Sequence, residues 1–438
     1  TGRRANMERN NTIPLPKAAS PTGADTVKGF FRFVLSELKP KGKIFTPFNV
    51  ISGIIIAVGL ALIVIRFAFG LASVTNLSQD YPWGIWIGFD VVTGVAFAGG
   101  AYTLCFVVHI LNFKKYEPIL KATVLNGFLA YCFYAGALLL DLGRPWNVVN
   151  PIIGNAFGYS SVLFLVAWHF LLYTVCQFVE VFPAVAEWLY WPKIRKYAKL
   201  CTTGAVIFGI TLSTLHQSGL GALFLMASNK IHPLWYSGNI PILFFVSSVF
   251  AGLSMVIAES TISHRVFRDQ IDPHHHASFD DILIGLAKGA LGALFAYLFL
   301  KVIDFVHGHQ WTQLATPMGA WWLVEMIGGI IIPIVLFTYA ILKNNRKLVQ
   351  VTAVITAIGV ILNRLNISVI AFKWYAANRY YPTWMEIWVT AAVICMEIWA
   401  FRWIVSRMPI MREHPEFPEE EHAHPKEAEV VQWKASAM

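Results

Sequence analysis

Apolar residues fall in blocks along this chain, each about 20 residues long and closed by a short polar stretch. That length carries an α-helix across ~30 Å of hydrocarbon. The pattern predicts ten spans, at 48–70, 84–110, 118–140, 160–182, 200–225, 241–263, 282–305, 320–342, 349–373 and 384–406. The blocks lack barrel-type alternation, and lipid offers no partner to an unpaired backbone group, so helices are expected. The fold class predicted is an all-α polytopic membrane protein with ten transmembrane helices, occupying residues 47–407. Residues 1–26 and 408–438 are rich in Pro and charge and read as disordered tails. Within the leading region, 1–46, "VKGFFRFVLSELK" gathers its apolar positions on one helical face, as an interfacial helix does.

Composition agrees with this pattern. Hydrophobic residues make up 56% of the chain and charged ones 13%, against ~25% charged in average soluble domains. A net charge of +9 would ordinarily suggest an acidic partner such as nucleic acid. Here the basic residues sit in the loops of one side. With six distant tail residues set aside, that side holds 18 Lys and Arg, and the other holds three, Arg144, Lys230 and Arg379. The positive-inside rule then places both termini in the cytoplasm of a bacterial inner membrane, and nucleic acid is not an expected partner.

Few metal signatures are present. The five cysteines, Cys105, Cys132, Cys176, Cys201 and Cys395, lie inside apolar blocks and form no CxxC, which leaves no recognisable zinc, iron–sulfur or c-type haem motif. The membrane histidines His109, His169 and His216 lie at three different depths, so no well-matched haem ligand pair is expected. His274, His275 and His276 form a loop run suited to adventitious metal binding, and His307 and His309 in an outer loop are read the same way.

The unusual polar residues collect in the outer half. "LSTLHQSGLGALFL" sets His216, Gln217 and Ser218 inside an apolar block, with His216 ~24 Å from the inner start of its span. Asp90 lies ~9 Å from the outer end of the second span, and a carboxyl there is costly and by default functional. Asp141 and Arg144 cap the outer end of the third span, as a structural ion pair or as part of a site. His232 and Trp235 follow the fifth span in "HPLW". Trp83, Trp86, Trp146 and Trp235 double as an aromatic belt. Toward the other side, Glu180 and Glu259 lie near inner helix ends, where structural roles are expected. Glu397 and Arg364 lie nearer mid-membrane, as an ion pair or part of a proton path.

A buried carboxyl, an imidazole, aromatic walls and an Arg suit quinone, which arrives from the bilayer with two carbonyl oxygens and takes up two electrons and two protons. His216 and Asp90 are the expected proton-handling residues. Gln217 and Trp235 would line the head-group pocket. No metal is expected in this chain, so the electrons would come from a partner docked on the outer face.

The segments "YPWGIWIGFD", "DLGRPWN", "HQSGLGALFLMASNKIHPLW" and "PTWMEI" resemble the NrfD/PsrC superfamily of membrane quinone-interacting subunits. The likeness is nearest to the HybB-type subunit of periplasmic uptake nickel–iron hydrogenases, and runs from about Lys43 to Pro409. It implies two four-helix bundles, spans two to five and six to nine, flanked by spans one and ten. It also implies no haem, a menaquinone or ubiquinone site in the outer part of the first bundle, and a periplasmic ferredoxin-like iron–sulfur subunit as neighbour, with the hydrogenase large and small subunits beyond it. By motif, the family's pocket residues fall on Trp83, Asp90, Asp141, Arg144 and His216. Similar subunits serve polysulfide, tetrathionate and nitrite reductases. A proton or solute transporter is the alternative from another class, and would show broken helices meeting at the midplane, whereas these spans read as unbroken.

The charge bias yields a direct test. Cysteines replacing Lys230 or Arg379 should react with a membrane-impermeant reagent applied outside the cell, and a cysteine replacing Arg346 should not. Labelling at the Arg346 position alone would reverse the orientation.

Overall fold

A computed structural model of the chain describes residues 27–41, 44–150, 158, 160–271, 273–412, 414 and 417. An amphipathic helix, α1 (Val27–Glu37), precedes ten helices long and apolar enough to cross a membrane. These are α2 (Pro47–Phe69), α3 (Trp86–Ile110), α4 (Lys114–Asp141), α5 (Val162–Trp188), α6 (Pro192–Leu225), α7 (Ile240–Val266), α8 (Ser278–His307), α9 (Pro317–Leu342), α10 (Arg346–Ile370) and α11 (Trp384–Val405). The described residues form no strand, only isolated bridges such as Ile231 with Phe372. Helices α2, α4, α6, α8 and α10 start on the side that also carries α1 and the end of α11. That side is called here the terminal face, and its opposite the far face.

Local chemistry fixes where the helices begin. Thr46 and Thr316 cap α2 and α9 ahead of a first-turn proline, and Asn345 caps α10. Thr383 and Glu386 form a reciprocal capping box at α11. Hydropathy places the fifth span at 200, yet α6 starts at Pro192. Its first turns, "PKIRKYAK", open on a first-turn proline and carry the basic residues Lys193, Arg195, Lys196 and Lys199, which are good helix formers, so the helix extends into the polar layer beyond the apolar block.

The spans are also less regular than their hydropathy implies. Trp86–Val91, Phe106–Ile110, Ile327–Ile331 and Asn366–Ile370 are π-helical turns. Such turns insert a residue and re-aim the side chains around them. Asp90 lies within the first of them.

Helices α3, α4, α5 and α6 pack in ring order, and α7, α8, α9 and α10 form a second ring. The rings meet where α7 packs on α3 and α6, and the α2–α11 pair lies against α4. Small residues set the close approaches. A Cβ on Gly252 of α7 would collide with the backbone of Gly99 and Gly100 on α3, and one on Gly359 would strike Gly329 across the α9–α10 contact. Lipid is as apolar as any leucine, so close van der Waals contact of this kind holds membrane helices together.

Chain ends close the terminal face. In α1, Phe30 stacks on Trp191 and Phe33 packs on Trp188, while Arg407 donates to the Glu37 and Lys39 carbonyls. Residues 408–412 continue onto this face with Ile410 buried, and the Phe417 carbonyl accepts from Arg195. The expected disordered tail therefore begins later than 408. The remaining tail expectations, for residues 1–26 and 418–438, lie outside the described residues.

Substituting Gly252 by Ala should cost about 1–3 kcal/mol through overpacking against the α3 backbone, read as a lower thermal midpoint of the detergent-solubilised protein. The control Gly53→Ala, whose Cβ meets open space, should be neutral or stabilising by about 1 kcal/mol. Equal effects at both positions would show that the α3–α7 crossing sets no limit.

Candidate functional site

The interior of the α3–α6 ring is where the polar residues of α6 are buried. Ser213, His216 and Gln217 repeat at helical spacing, so one stripe of α6 points them inward. The His216 ring is 1% exposed and sits between Tyr131 and Phe170, with ring centroids at 5.7 and 5.5 Å. Its Nδ1 lies 3.2 Å from the Val166 carbonyl of α5. A carbonyl only accepts, so Nδ1 carries the hydrogen, and Nε2 of the neutral ring is a bare lone pair. That Nε2 is buried without a protein partner. An acceptor fixed in this tautomer can take a proton from a ligand hydroxyl, and once protonated can return one to a ligand oxygen. Gln217 beside it donates to the Val95 carbonyl of α3 at 2.8 Å.

Asp90 faces elsewhere. Its carboxylate, 0% exposed, accepts from Thr390 of α11 at 2.9 Å, and its other oxygen has no partner. Asp141 and Glu397 are its charged neighbours, and Tyr134 lies within electrostatic reach of both Asp90 and Glu397. The expected set of site residues therefore divides in two. His216 and Gln217 lie inside the ring, while Asp90 and Asp141 lie at the seam with α2 and α11. Trp83 stands over the far end of α6, its ring edge-on to Phe224 at 5.7 Å.

Two pairings that the sequence allowed are not formed, and Trp235 has a partner outside the first ring. The cation beside Asp141 is Arg66 of α2, which is buried and donates to the Leu140 and Leu142 carbonyls at the end of α4. Arg144 is exposed instead. The short turn after α4 carries Arg144 past the helix end, whereas Arg66 enters from a neighbouring helix. Arg364 does not meet Glu397. It lies in the second ring, over the Phe244 ring and bonded to Ser247 and Asn363. Trp235, expected in the pocket, donates to Glu325 of α9 at 2.6 Å, and Asn363 and Asn366 complete that carboxylate's set. This satisfied network pins the 226–239 loop to the second ring.

His232 of the same loop accepts from the Leu234 N–H at Nδ1 and packs between Trp235 and Trp374. Burial pushes its pKa down, which keeps it neutral. The side chains of His274 and His275 lie outside the described residues, and His276 contacts His264. Among the described residues, no three His, Cys, Asp or Glu side chains gather as a metal site.

Sequence reasoning passed over Tyr131, Gln177 and Ser213, which surround His216 or lie below it. Their signal was available as spacing, because Ser213 and His216, like Gln177 and Glu180, are three apart and share a helix face. Arg66 gave no such signal, since its target lies 74 residues away.

These features define a ten-span helical membrane protein with an unpartnered imidazole buried in the far half of its first ring. The chain belongs to the NrfD family, whose description is polysulphide reductase, NrfD, and whose profile matches residues 73–372. It is 41% identical over 376 residues to a protein of Nitratidesulfovibrio vulgaris, covering 85% of this chain and 97% of that one. It is 28% identical over 375 residues to the probable Ni/Fe-hydrogenase 2 b-type cytochrome subunit of Escherichia coli, covering 84% and 94%. The menaquinone reductase integral membrane subunit of Nitratidesulfovibrio vulgaris is 24% identical over 382 residues, covering 76% and 87%.

Proposed function

We propose that this chain is the integral membrane subunit of a respiratory complex of a bacterial inner membrane, with both termini cytoplasmic. It passes electrons between an iron–sulfur subunit on the far face and quinone. Menaquinone is the favoured quinone, because two relatives carry menaquinone or menaquinol in their names. The favoured electron source is hydrogen oxidation by a nickel–iron hydrogenase, supported by the Escherichia coli relative. A second reading keeps the quinone site and changes the donor to another NrfD-type reductase. It is favoured by a relative from the selenate reductase of Mesobacillus selenatarsenatis, 23% identical over 431 residues.

The observation that carries the reading is the buried Nε2 of His216, fixed as an acceptor by Val166. Quinone brings the two-electron, two-proton chemistry. His216 orients a quinone oxygen and exchanges a proton with it, while Trp83 shields the far end of the ring. Asp90, at the seam with α11, is the second proton-handling group, reached through Tyr134. Asp141, Arg144 and Trp235 remain as elements that hold the far face in place.

The name of the Escherichia coli relative includes a b-type cytochrome, so haem is the cofactor to test against these residues. They do not fit it. His169 and His216 stand on α5 and α6, which pack directly on each other, and His216 reaches the α5 backbone itself. Two axial imidazoles with a macrocycle between them would force those helices apart, and Tyr131 and Phe170 already flank the His216 ring. The iron–sulfur clusters belong to the partner.

His216→Ala should leave the helix intact, Ala being the better helix former. The complex should still reduce an artificial acceptor served directly by its soluble subunits, while quinone reduction falls ~10²–10⁴-fold. Wild-type quinone turnover in a normally assembled variant would move the site elsewhere. The isolated subunit should show no reduced-haem absorption bands, and a stoichiometric b-type spectrum would overturn the haem-free reading.

A further inference from the structure

A cavity of about 1060 Å³ opens among the terminal-face ends of α3, α4, α5, α6 and α8, and residues 410–412 complete its wall. Its lining is biased in charge. Among the described residues, seven Lys and Arg side chains line it against four carboxyls. Two of those carboxyls are already engaged. Glu187 holds Arg195 in an ion pair at 2.6 Å, and Glu180 accepts from the Cys105 thiol at 3.2 Å.

The excess cations come from three separate elements. Lys196 and Lys199, three apart on α6, share one face of that helix with Thr203. Neither lysine makes an ion pair or a hydrogen bond among the described residues. From the start of α4 comes Lys115, whose ammonium lies over the Tyr116 ring at 4.7 Å. Gly285 of α8 makes room for it, since a Cβ there would stand 2.9 Å from the Lys115 Nζ. Arg412 arrives from beyond the end of α11. It is half-buried, burial pushes its pKa down, and no carboxylate beside it pushes back. Three stretches of backbone thus bring positive charge to one cavity, which costs free energy unless an anion sits between them. Guanidinium and ammonium donors converging with the Ser278 and Thr203 hydroxyls are a donor set that phosphate oxygens accept from. Leu120, Val124, Val181 and Ala184 continue the wall toward the membrane interior, so its lining is charged at one level and apolar at the next.

We propose that this cavity binds a phosphate-bearing anion, held by Lys115, Lys196, Lys199 and Arg412. An acidic phospholipid headgroup from the adjoining leaflet and a soluble phosphate compound offer the same chemistry to these residues. The apolar part of the wall favours the lipid, whose glycerol esters would lie against it. The site stands apart from the quinone reading of His216, and testing it needs no turnover.

The test uses the full chain, purified in detergent and stripped of lipid. Binding of dioleoyl-phosphatidylglycerol and tetraoleoyl cardiolipin is read by native mass spectrometry and by the rise in thermal midpoint. Dioleoyl-phosphatidylcholine is the zwitterionic comparison. The acidic lipids should bind at least ~10-fold more tightly than phosphatidylcholine, and less tightly as salt rises. Lys196→Gln, Lys199→Gln and Arg412→Gln should each loosen binding ~5-fold, and their combination ~100-fold. Lys199→Arg should keep most of the affinity. Lys347→Gln, exposed on the same face but outside the cavity, should change nothing. Inorganic phosphate and ATP, tested alone and as competitors, identify the source. Stabilisation by either that the same variants abolish upholds the site and assigns it to a soluble phosphate. Indifference to both, with selective binding of the acidic lipids, upholds the headgroup. Equal binding of phosphatidylcholine and acidic lipid, with no stabilisation by phosphate or ATP, would overturn the proposal. So would acidic-lipid binding that survives the combined variant at wild-type strength.

Discussion

Hydrocarbon offers no hydrogen bond, and every polar atom this chain carries into the membrane must find its partner inside the protein. The two helix rings meet that constraint differently. In the second ring, Glu325 receives Trp235, Asn363 and Asn366, and Arg364 is held by Ser247, Asn363 and the Phe244 ring. Apart from the Arg364 Nε, Glu325 and Arg364 are tied into one network of three helices and a loop. Such a network is rigid, because breaking one member strands a charge in a medium of low dielectric.

In the first ring the constraint is left open. Tyr131, Gln177, Ser213 and His216 all hold buried atoms without partners. Their cost is offset by the close packing around them, most visibly where Gly99 and Gly100 meet Gly252. The ring whose Glu325 and Arg364 are tied down thus acts as the frame against which the first ring is held. Unpartnered polar groups in a tight frame are what ligand and proton exchange require, since a group already engaged would have to be freed first.

The π-helical turns belong to the same division of labour. The turn at Trp86–Val91 places Asp90 against Thr390 of α11, away from His216. The Tyr380 hydroxyl receives the Ile85 N–H at its start, and Glu386 in turn accepts from that hydroxyl. The box that caps α11 therefore also anchors the distorted first turn of α3, and links the outer helix pair to the carboxyl it faces.

The ten spans, their helical nature and the one-sided charge were legible in the sequence, because each depends on local composition and on the length needed to cross lipid. The depth of His216, Asp90 and Asp141 was legible for the same reason, as distance along a helix follows from residue count. Azimuth was not. Asp90 and His216 share the outer half yet meet different helices, Asp90 turning to Thr390 of α11 and His216 to α4 and α5, and Asp141 takes its cation from α2 and not from Arg144 three residues on. Trp235 looked like a pocket wall and proved to be a donor to a helix 90 residues away. Hydropathy reports whether a side chain prefers lipid, and carries no record of which neighbouring helix it will meet. That meeting is set by where glycines let backbones approach and where a π-turn rotates a face. Both depend on pairs of segments distant in sequence, so only the packed tertiary structure decided them.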